Sequence, residues 1–347
     1  METFANGEMK ILVIQTAFPG DAILTLPMIQ ELKKRNEHSL IDVICIPSTR
    51  EIFEASPAVN STIVIDKKDA QKNIFSFIKF IKKIRVNGYN KIYSPHRSFR
   101  SAIIVWLLGV ADSVGFSNSS FPFIFKEVIN YNSSAHEVCR NLSLIGFEAG
   151  NDNWKIRPLL FVNESSEEKV KYFLIENELS NFIAIAPGSV WKTKIYPADY
   201  YKQVIEYFIN DGYKILLIGG MEDKNLCDNL VGEQYVVNAS GLFTFVETAE
   251  LLRSSKLLIC NDSAPTHLGI CADIPVLTVY CSTIPDFGFY PYNDKSDYLS
   301  YDKLDCKPCG IHGYIECPIG TFDCGKLLQP EVVFKTAKSL IEKNGSN

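Results

Sequence analysis

Apolar residues recur along the first half of this chain with two different periods. Short, nearly continuous apolar runs are typical of strands buried in a parallel sheet. The predicted strands of this half are 10–15, 39–47, 61–66 and 90–95. Between them, apolar residues recur every three or four positions, which is the spacing of amphipathic helices. The predicted helices are 21–36, 74–89 and 98–110. This alternation predicts a parallel sheet with helices on both faces.

The second half repeats the pattern after a polar segment at 163–180, which itself contains a predicted helix at 167–178. Its predicted strands are 181–188, 214–220, 256–262 and 275–281. Its predicted helices are 197–213, 221–231, 243–255, 264–274 and 329–345. The two halves therefore predict two sheets of the same kind.

We expect an α/β protein with two doubly wound, Rossmann-like domains, residues 1–165 and 166–347, joined within 160–175. Such sheets bind ligands outside the carboxyl ends of their strands, so we expect the domains to face each other across a central cleft. The last helix is a candidate for packing back on the N-terminal domain.

Composition and charge narrow the class of protein. The chain has 347 residues, 46% of them apolar and 22% charged, with a net charge of −5. This is an ordinary globular composition with no overall basic field, so we expect no nucleic-acid partner. The first ten residues lack an apolar core, and the longest apolar stretch, 102–111, is far shorter than the ~20 residues of a membrane helix. We therefore expect a cytoplasmic protein. The basic helix at 78–90 has two interpretations, contact with anionic lipid or a solvated cover of the sheet.

The turn after the first strand, in 15–27, carries Thr16, Gly20 and Asp21. A carboxylate in a cleft can act as a general base, but one at a helix start can also be only a cap. A single glycine is a poor dinucleotide signature, and the absence of GxGxxG weighs against a nicotinamide or flavin cofactor.

The matching turn of the second half is "NDSAPTH", 261–267. Ser263 and Ala264 would open a helix whose backbone N–H groups can bind a phosphate. The alternative is that Asp262 only caps this helix and that His267 is a packed residue.

Two further turns follow strands of the second half. "APGSVWKTKIYP", 186–197, carries Ser189, Lys192 and Lys194, and the lysines could contact a diphosphate. "LIGGMED", 217–223, carries Glu222, which could accept hydrogen bonds from a ribose or a base. Each of these residues could also be merely solvated, or in the case of Glu222 a helix cap.

Six segments in this order resemble glycosyltransferase family 9, the bacterial heptosyltransferases of lipopolysaccharide core synthesis. They are "MKILVIQTAFPGDAILTLPMIQELKK", "YSPHRSFRSAIIVWLLGVADSVGF", "APGSVWKTKIYP", "LLIGGMED", "CNDSAPTHLGICADIPVLTVYCST" and "CKPCGIHGYIECPIGTFDC". Each motif alone is moderately specific. Their ordered set, spanning about residues 9 to 330, is highly specific.

This resemblance implies the GT-B fold and a metal-independent, inverting transferase without a cofactor. The C-terminal domain would bind a nucleotide sugar, ADP-heptose in the best-known members, and the N-terminal domain a lipid-linked glycan acceptor, with peripheral contact to the inner membrane. Asp21 matches the proposed base, and Lys194 matches the lysine that stabilises the leaving diphosphate. The implied donor-binding residues are Thr16, Gly20, Ser189, Lys192, Lys194, Glu222, Asp262, Ser263, Ala264 and His267.

Acceptor contacts are expected in "SPHRSFRS", 94–101, where His96, Arg97 and Arg100 can bind phosphate or carboxylate groups. The alternative is that one or both arginines face solvent from a helix. His136 and Arg140 resemble a second family stretch near the acceptor.

The sequence departs from the family at two of these sites. The family has glycine at the position of Ala264, and since alanine does not readily adopt positive φ, we expect a slightly different turn. The family lysine loop usually has tryptophan where Tyr196 stands. These changes affect the identity of the donor more than the class of reaction. The rival functions are transfer from another nucleotide sugar, sugar-nucleotide epimerisation, and non-catalytic binding of a nucleotide or glycan.

Four cysteines, Cys306, Cys309, Cys317 and Cys324, lie close together in sequence. A CxxC pair followed by two more thiols can form a structural zinc site. Reduced thiols and a labile disulfide are the alternatives.

Overall fold

Each half of the chain folds around its own parallel sheet. The computed structural model describes residues 9–66, 74–232 and 234–345. The chain divides into two compact units between Leu160 and Phe161. The predicted helix 74–89 lies within the described residues, whereas residues 1–8 lie outside them.

The sheet of the first unit has six strands among the described residues, all paired in parallel in the order β3-β2-β1-β4-β5-β6. The strands are β1 Lys10–Ile14, β2 Leu40–Cys45, β3 Ser61–Val64, β4 Lys91–Ser94, β5 Asp112–Phe116 and β6 Glu127–Ile129. The helices are α1 Pro19–Arg35, α2 Arg50–Glu54, α3 Ile74–Arg85, α4 Phe99–Leu108 and α5 Glu137–Ser143. The strand order reverses between β1 and β4, so the crevice for a ligand opens at the carboxyl ends of these two strands.

The second unit repeats this plan, with six described strands in the order β12-β11-β10-β7-β8-β9. The strands are β7 Phe182–Ala186, β8 Lys214–Leu217, β9 Val236–Asn238, β10 Leu258–Asn261, β11 Val276–Tyr280 and β12 Asp297–Ser300. The helices are α6 Glu164–Glu176, α7 Ala198–Asn210, α8 Lys224–Leu230, α9 Phe245–Leu252, α10 Ala264–Ala272, α11 Asp323–Lys326 and α12 Pro330–Gly345. Here the order reverses between β7 and β10. The two doubly wound α/β sheets confirm the expected fold class.

The last helix, α12, packs against α7 within the second unit. Val333, Ala337 and Leu340 are buried in the core cluster of this unit, at the spacing of one helix face. The apolar face of α12 is therefore buried in the second unit. Packing of this helix on the N-terminal domain as well stays a prediction.

Four strands, β5, β6, β9 and β12, were not predicted from the pattern. Each is short, and β5 contains Gly115, which allows close packing because a Cβ there would lie 2.6 Å from the Phe125 ring. These segments form strands because a neighbouring strand pairs with them, not because their apolar residues recur with the period of a strand. Across the described residues, no helix combines the length and apolar character that crossing a bilayer would require.

Candidate functional site

His96 lies at the reversal point of the first sheet, two residues beyond β4. Its Nδ1 lies 2.8 Å from Thr16 Oγ1, 3.0 Å from Ser101 Oγ and 3.3 Å from Ser98 Oγ. Ser98 is the N-cap of α4, and its hydroxyl accepts a hydrogen bond from Ser101 N. These hydroxyls hold the imidazole beside the end of β1, so the structure brings together Thr16 and His96, which the sequence analysis had assigned to separate ligands.

Asp21 lies in the first turn of α1 and is half-buried. The N-cap of α1 is Phe18, with Pro19 opening the helix, so the alternative that Asp21 is only the cap is wrong. Gly20 lies between Pro19 and Asp21 in this turn. The positive end of the helix dipole stabilises a carboxylate at this position, and an ionised carboxylate is the form that accepts a proton.

A buried ion pair lies next to this turn, and its carboxylate, Glu137, was not among the residues predicted from the sequence. Glu137 accepts a hydrogen bond of 2.7 Å from Arg140 Nε, with both side chains buried. The guanidinium carbons of Arg97 and Arg140 lie 4.2 and 5.0 Å from the centre of the Tyr131 ring. Both guanidinium groups therefore lie over the Tyr131 ring, a cation–π arrangement. The feature of the sequence that could have identified Glu137 is its spacing of three residues from Arg140, which places the two charges side by side on a helix.

Burial raises the pKa of Glu137 to about 7, against the lowering influence of Arg140. The negative charge of Asp21 raises it further, and Arg97 lowers it. Glu137 and Asp21 are therefore close enough for each to sense the charge of the other. A group with a strongly shifted pKa beside a candidate base is a feature of functional sites.

The remaining predicted acceptor residues occupy the same end of this unit. His136 is the N-cap of α5, where its Nδ1 accepts a hydrogen bond of 3.2 Å from Val138 N, and its ring lies 5.0 Å from that of Trp154. Arg100 is half-buried in the first turn of α4, and its contact with acceptor stays a prediction. A cavity of about 380 Å³ is lined in part by Arg140, Trp154, Asn130 and Asn132. Cationic, amide and indole groups of this kind suit a glycan that carries anionic groups.

In the second unit, Lys194 and Asp262 form a nearly buried ion pair. Lys194 Nζ lies 2.6 Å from Asp262 Oδ2 and 3.3 Å from the Asp262 carbonyl oxygen. Thr283 Oγ1 donates a second hydrogen bond, of 2.7 Å, to the same carboxylate oxygen. Ser263, not Asp262, is the N-cap of α10, so the expectation that Asp262 caps this helix is wrong. Its carboxylate is instead used to hold the lysine.

The start of α10 is the predicted anion site. Ser263 makes no side-chain cap hydrogen bond, and Pro265 follows in the first turn. Ala264 is not among the described residues with positive φ, so the alanine that replaces the family glycine introduces no backbone strain. A turn shaped slightly differently from that of the family stays a prediction, and the backbone N–H groups of a helix start can bind an anion.

His267 lies one turn into α10 and is buried. Its Nδ1 has no hydrogen-bond partner in the part of the chain that the structure describes. Burial, helped by the charge of Lys194, lowers the pKa of His267 to about 3, so the imidazole is neutral at physiological pH. A buried nitrogen without a partner costs free energy unless a ligand or water satisfies it.

Asn261, the last residue of β10, fixes the two loops that carry this site and was not singled out from the sequence. Its Nδ2 donates to the Pro187 carbonyl oxygen at 2.8 Å. Its Oδ1 accepts from Tyr196 N and from Tyr201 Oη, both at 3.0 Å. One side chain therefore ties the lysine loop to the end of β10, and Tyr196, buried in place of the family tryptophan, forms part of this link.

The glycine turn after β8 is capped by Asp223, whose Oδ2 accepts a hydrogen bond of 2.9 Å from Gly220 N. A Cβ on Gly219 would lie 2.7 Å from this carboxylate, which explains the requirement for glycine there. Glu222 is exposed in the same turn, and because Asp223 supplies the capping carboxylate, the alternative that Glu222 is the cap is wrong. Its carboxylate remains a candidate for binding the donor.

The other donor-binding predictions lie in the lysine loop. Ser189 Oγ accepts a hydrogen bond of 3.4 Å from Trp191 N, and Lys192 is exposed in the 3₁₀ turn Lys192–Lys194. Buried Thr193 ties the loop to Tyr314, with Thr193 N donating to Tyr314 O at 3.0 Å and Tyr314 N donating to Thr193 Oγ1 at 2.8 Å. The cysteine-rich segment therefore packs directly against the predicted diphosphate site.

The four cysteines of that segment were candidates for a structural zinc site. The described residues, which include all four, contain no group of three or more His, Cys, Asp or Glu side chains that could hold a metal ion. Cys306 is exposed, whereas Cys324 is buried in the core of the second unit. Backbone N–H groups of 319–322 lower the pKa of Cys317 despite some desolvation. All four are free thiols here, and the zinc prediction is not supported by this geometry.

Comparison with known proteins agrees with the sequence motifs and with the fold. The family model of glycosyltransferase family 9 (heptosyltransferase) matches residues 77–316. Lipopolysaccharide heptosyltransferase 3 of Escherichia coli is 26% identical over 278 residues, covering 77% of this chain and 82% of that protein.

Two solved structures share the fold. The glycosyl transferase family 9 protein of Veillonella parvula superposes with a TM-score of 0.82 at 22% identity, covering 96% of this chain and 97% of its own. The ADP-heptose lipopolysaccharide heptosyltransferase II of E. coli superposes with a TM-score of 0.80 at 20% identity, covering 97% and 100%. This chain therefore belongs to glycosyltransferase family 9, the heptosyltransferase family, and is a glycosyltransferase with the two-domain α/β fold of the GT-B class.

Proposed function

We propose that this enzyme transfers a heptose from an ADP-activated donor to the inner core of lipopolysaccharide or a similar glycan, with inversion and without a catalytic metal. One observation supports this most: Lys194 is held at the start of α10 by Asp262. A cation beside a helix N-terminus is suited to a diphosphate leaving group. The sugar and the nucleotide are inferred from the relatives, which include an ADP-heptose lipopolysaccharide heptosyltransferase.

The second unit would bind the donor. As the bond between the anomeric carbon and the diphosphate oxygen breaks, its electron pair passes to ADP and the negative charge there grows. Lys194 and the N–H groups of α10 would stabilise that charge more in the transition state than in the ground state. His267, neutral and with an unpartnered Nδ1, would donate or accept one hydrogen bond at the donor. Glu222 would accept hydrogen bonds from the ribose.

The first unit would bind the acceptor and supply the base. The acceptor hydroxyl oxygen forms the new bond to the anomeric carbon while Asp21 takes the hydroxyl proton. Arg97 and Arg140, held on Tyr131, would contact anionic groups of the acceptor, together with His96 and Arg100. The acceptor is then a lipid-linked glycan that the enzyme meets at the inner face of the cytoplasmic membrane.

Calorimetric titration of the full chain with ADP, UDP, GDP and CMP tests the donor half of the proposal. We expect ADP to bind most tightly. Lys194→Ala should weaken ADP binding by about tenfold or more, since a charge-assisted contact contributes about 1.5–3 kcal/mol. Glu222→Ala should weaken ADP but not inorganic diphosphate, because Glu222 is assigned to the ribose.

Lys202→Ala, an exposed lysine on α7, is the matched control and should leave ADP binding unchanged. Preference for UDP or GDP would contradict the proposed donor while retaining sugar transfer. The absence of binding for every nucleotide would contradict the assignment of the second unit.

A further inference from the structure

Large apolar side chains are exposed on two neighbouring helices of the first unit and on the turn beside the second helix. Phe75 on α3, Phe99 and Trp106 on α4 and Phe123 in the turn Pro122–Ile124 are 76%, 59%, 62% and 80% exposed. Ile78 on α3 is also exposed. We call these five residues and the basic residues of α3 the aromatic–basic surface.

The helices present this face because their other faces are buried in the sheet. Ile81 and Ile84 of α3 pack with Ile104 and Val105 of α4 in one core cluster, and the two helices are in contact. Residues three, four or seven positions apart share a helix face. Phe75, Ile78 and Lys82 therefore lie along one side of α3, and the seven-residue spacing of Phe99 and Trp106 places them on one side of α4.

The aromatic side chains continue from α4 onto the neighbouring turn. The Phe99 and Phe121 ring centres are 5.2 Å apart, and those of Phe121 and Phe123 are 5.6 Å apart. Ser120 N donates a hydrogen bond of 3.1 Å to Arg97 O, which ties this turn to the loop after β4. Single exposed apolar residues are common, whereas a contiguous group of aromatic rings indicates a surface that binds something.

The charges of α3 indicate which partner. Lys79, Lys82, Lys83 and Arg85 are all exposed, and the sequence of α3 contains no acidic residue. This helix carries four positive charges in a chain whose net charge is −5. Aromatic rings beside flexible lysines are the arrangement that partitions into the headgroup region of an anionic bilayer.

We propose that the aromatic–basic surface binds the surface of a bilayer that contains anionic phospholipid. The aromatic rings enter the interfacial region while the lysines and Arg85 contact lipid phosphates. The contiguous basic charge of α3 distinguishes the surface from an ordinary apolar protein interface.

The position of this surface fits the chemistry of the same unit. α4 begins directly after β4, so Phe99 lies at the carboxyl edge of the sheet, where Thr16, Asp21 and His96 also lie. A bilayer bound there lies beside the candidate acceptor residues. This inference rests on the proposed function only for its biological purpose, namely access to a lipid-linked acceptor.

Cosedimentation of the full chain with vesicles, with no nucleotide or acceptor present, tests the inference. The probes are vesicles of phosphatidylcholine alone and of phosphatidylcholine with phosphatidylglycerol. We expect binding to the anionic vesicles, weakened by salt. The double variant Lys79→Gln/Lys82→Gln should lower the partition coefficient about 25-fold, since each lysine contributes about fivefold at an anionic surface. Phe123→Ser should lower it about tenfold through lost apolar burial.

The matched controls are Lys171→Gln/Lys202→Gln for charge and Tyr172→Ser for aromatic loss, all at exposed positions of the second unit. They should bind vesicles like the original chain. Circular dichroism and ADP binding check that each variant is folded. Because ADP binding is assigned to the second unit, a failure of the donor proposal would appear as lost ADP binding, separately from vesicle binding.

Four results would overturn the inference. The chain could remain in the supernatant with anionic vesicles, or the surface variants could bind as well as the original chain. Equal binding to neutral vesicles would remove the role of the lysines. Self-association that Phe123→Ser abolishes, without vesicle binding, would show that the surface contacts a second copy of this chain.

Discussion

Asp21 and Glu137 show how two carboxylates of the same unit acquire different properties. Asp21 lies half-exposed at the positive end of α1, whereas Glu137 is buried against Arg140. Burial favours the neutral form of a carboxyl group, while a cation favours the charged form. For Glu137 burial dominates, and its pKa is raised to about 7. The pair resembles sites in which environment separates the roles of two acids.

Glu137→Gln is expected to change the pH dependence of stability. A carboxyl group whose pKa is raised on folding stabilises the folded state fully below the unfolded value of 4.5, and this contribution is lost as pH rises through about 7. The original chain should therefore lose up to about 3 kcal/mol relative to Glu137→Gln between these pH values. Denaturant unfolding of both proteins at pH 4.5 and pH 8 measures the difference.

The same variant should alter the activity profile. Burial raises the pKa of Glu137 to about 7, so a step in kcat/KM near that pH should disappear in Glu137→Gln, while kcat on the plateau away from that step is largely kept. Glu148→Gln, at an exposed position of the same unit, is the control. Stability and activity profiles parallel to those of the original chain at every pH would show that Glu137 is only a structural partner of Arg140.

At the scale of elements, the turns after β7 and β10 are held together by side chains as well as by the sheet. Asn261 links Pro187, Tyr196 and Tyr201, and Asp223 secures the turn after β8. These buried polar contacts fix the position of Lys194, because its loop begins at the end of β7. The geometry of the candidate donor site therefore depends on residues that need not touch a donor.

Asn261→Ala is expected to destabilise the second unit by about 3 kcal/mol, because it leaves several buried groups unpaired. Thermal unfolding followed by circular dichroism should show the loss, and ADP should bind more weakly as the lysine loop relaxes. Asn181→Ala, at an exposed position, is the control. Unchanged stability and unchanged ADP binding in Asn261→Ala would contradict the role assigned to this side chain.

Much of the fold follows from the sequence because buried parallel strands are continuous apolar runs. β1, β2, β7, β10 and β11 were predicted for this reason. Strands such as β5 and β12 have polar residues and few apolar ones, and they form because a neighbouring strand supplies hydrogen bonds. α5 was missed because its buried positions include Glu137, Arg140 and Asn141, which are polar.

The candidate site could be predicted only in part for a related reason. Residue types at strand ends identified Asp21, Lys194, Asp262 and His267 as candidates. The sequence could not show that Asp262 pairs with Lys194 rather than capping α10, because that contact joins positions 68 residues apart. The same holds for the zinc hypothesis, since the spacing of cysteines does not determine whether their thiols converge.

At the scale of the whole molecule, the chain combines two doubly wound units, and the family match at residues 77–316 includes parts of both. Each unit places its polar residues at the carboxyl ends of the strands flanking its reversal point. This is the arrangement that a transferase with one donor and one acceptor requires, one unit for each substrate. The roles of the two units are our proposal, and they predict separable defects: loss of donor binding from Lys194 variants and loss of turnover from Asp21 variants.

The most direct test of the central claim is a transfer assay with ADP-heptose and a lipopolysaccharide core that lacks the heptose, with the product identified by mass spectrometry. We predict one added heptose and one ADP released per turnover, without added metal. Asp21→Asn should keep ADP binding and lower kcat by about 10²-fold or more, the usual size of a general-base contribution. Transfer from a UDP or GDP sugar instead, or full turnover by Asp21→Asn, would contradict this account.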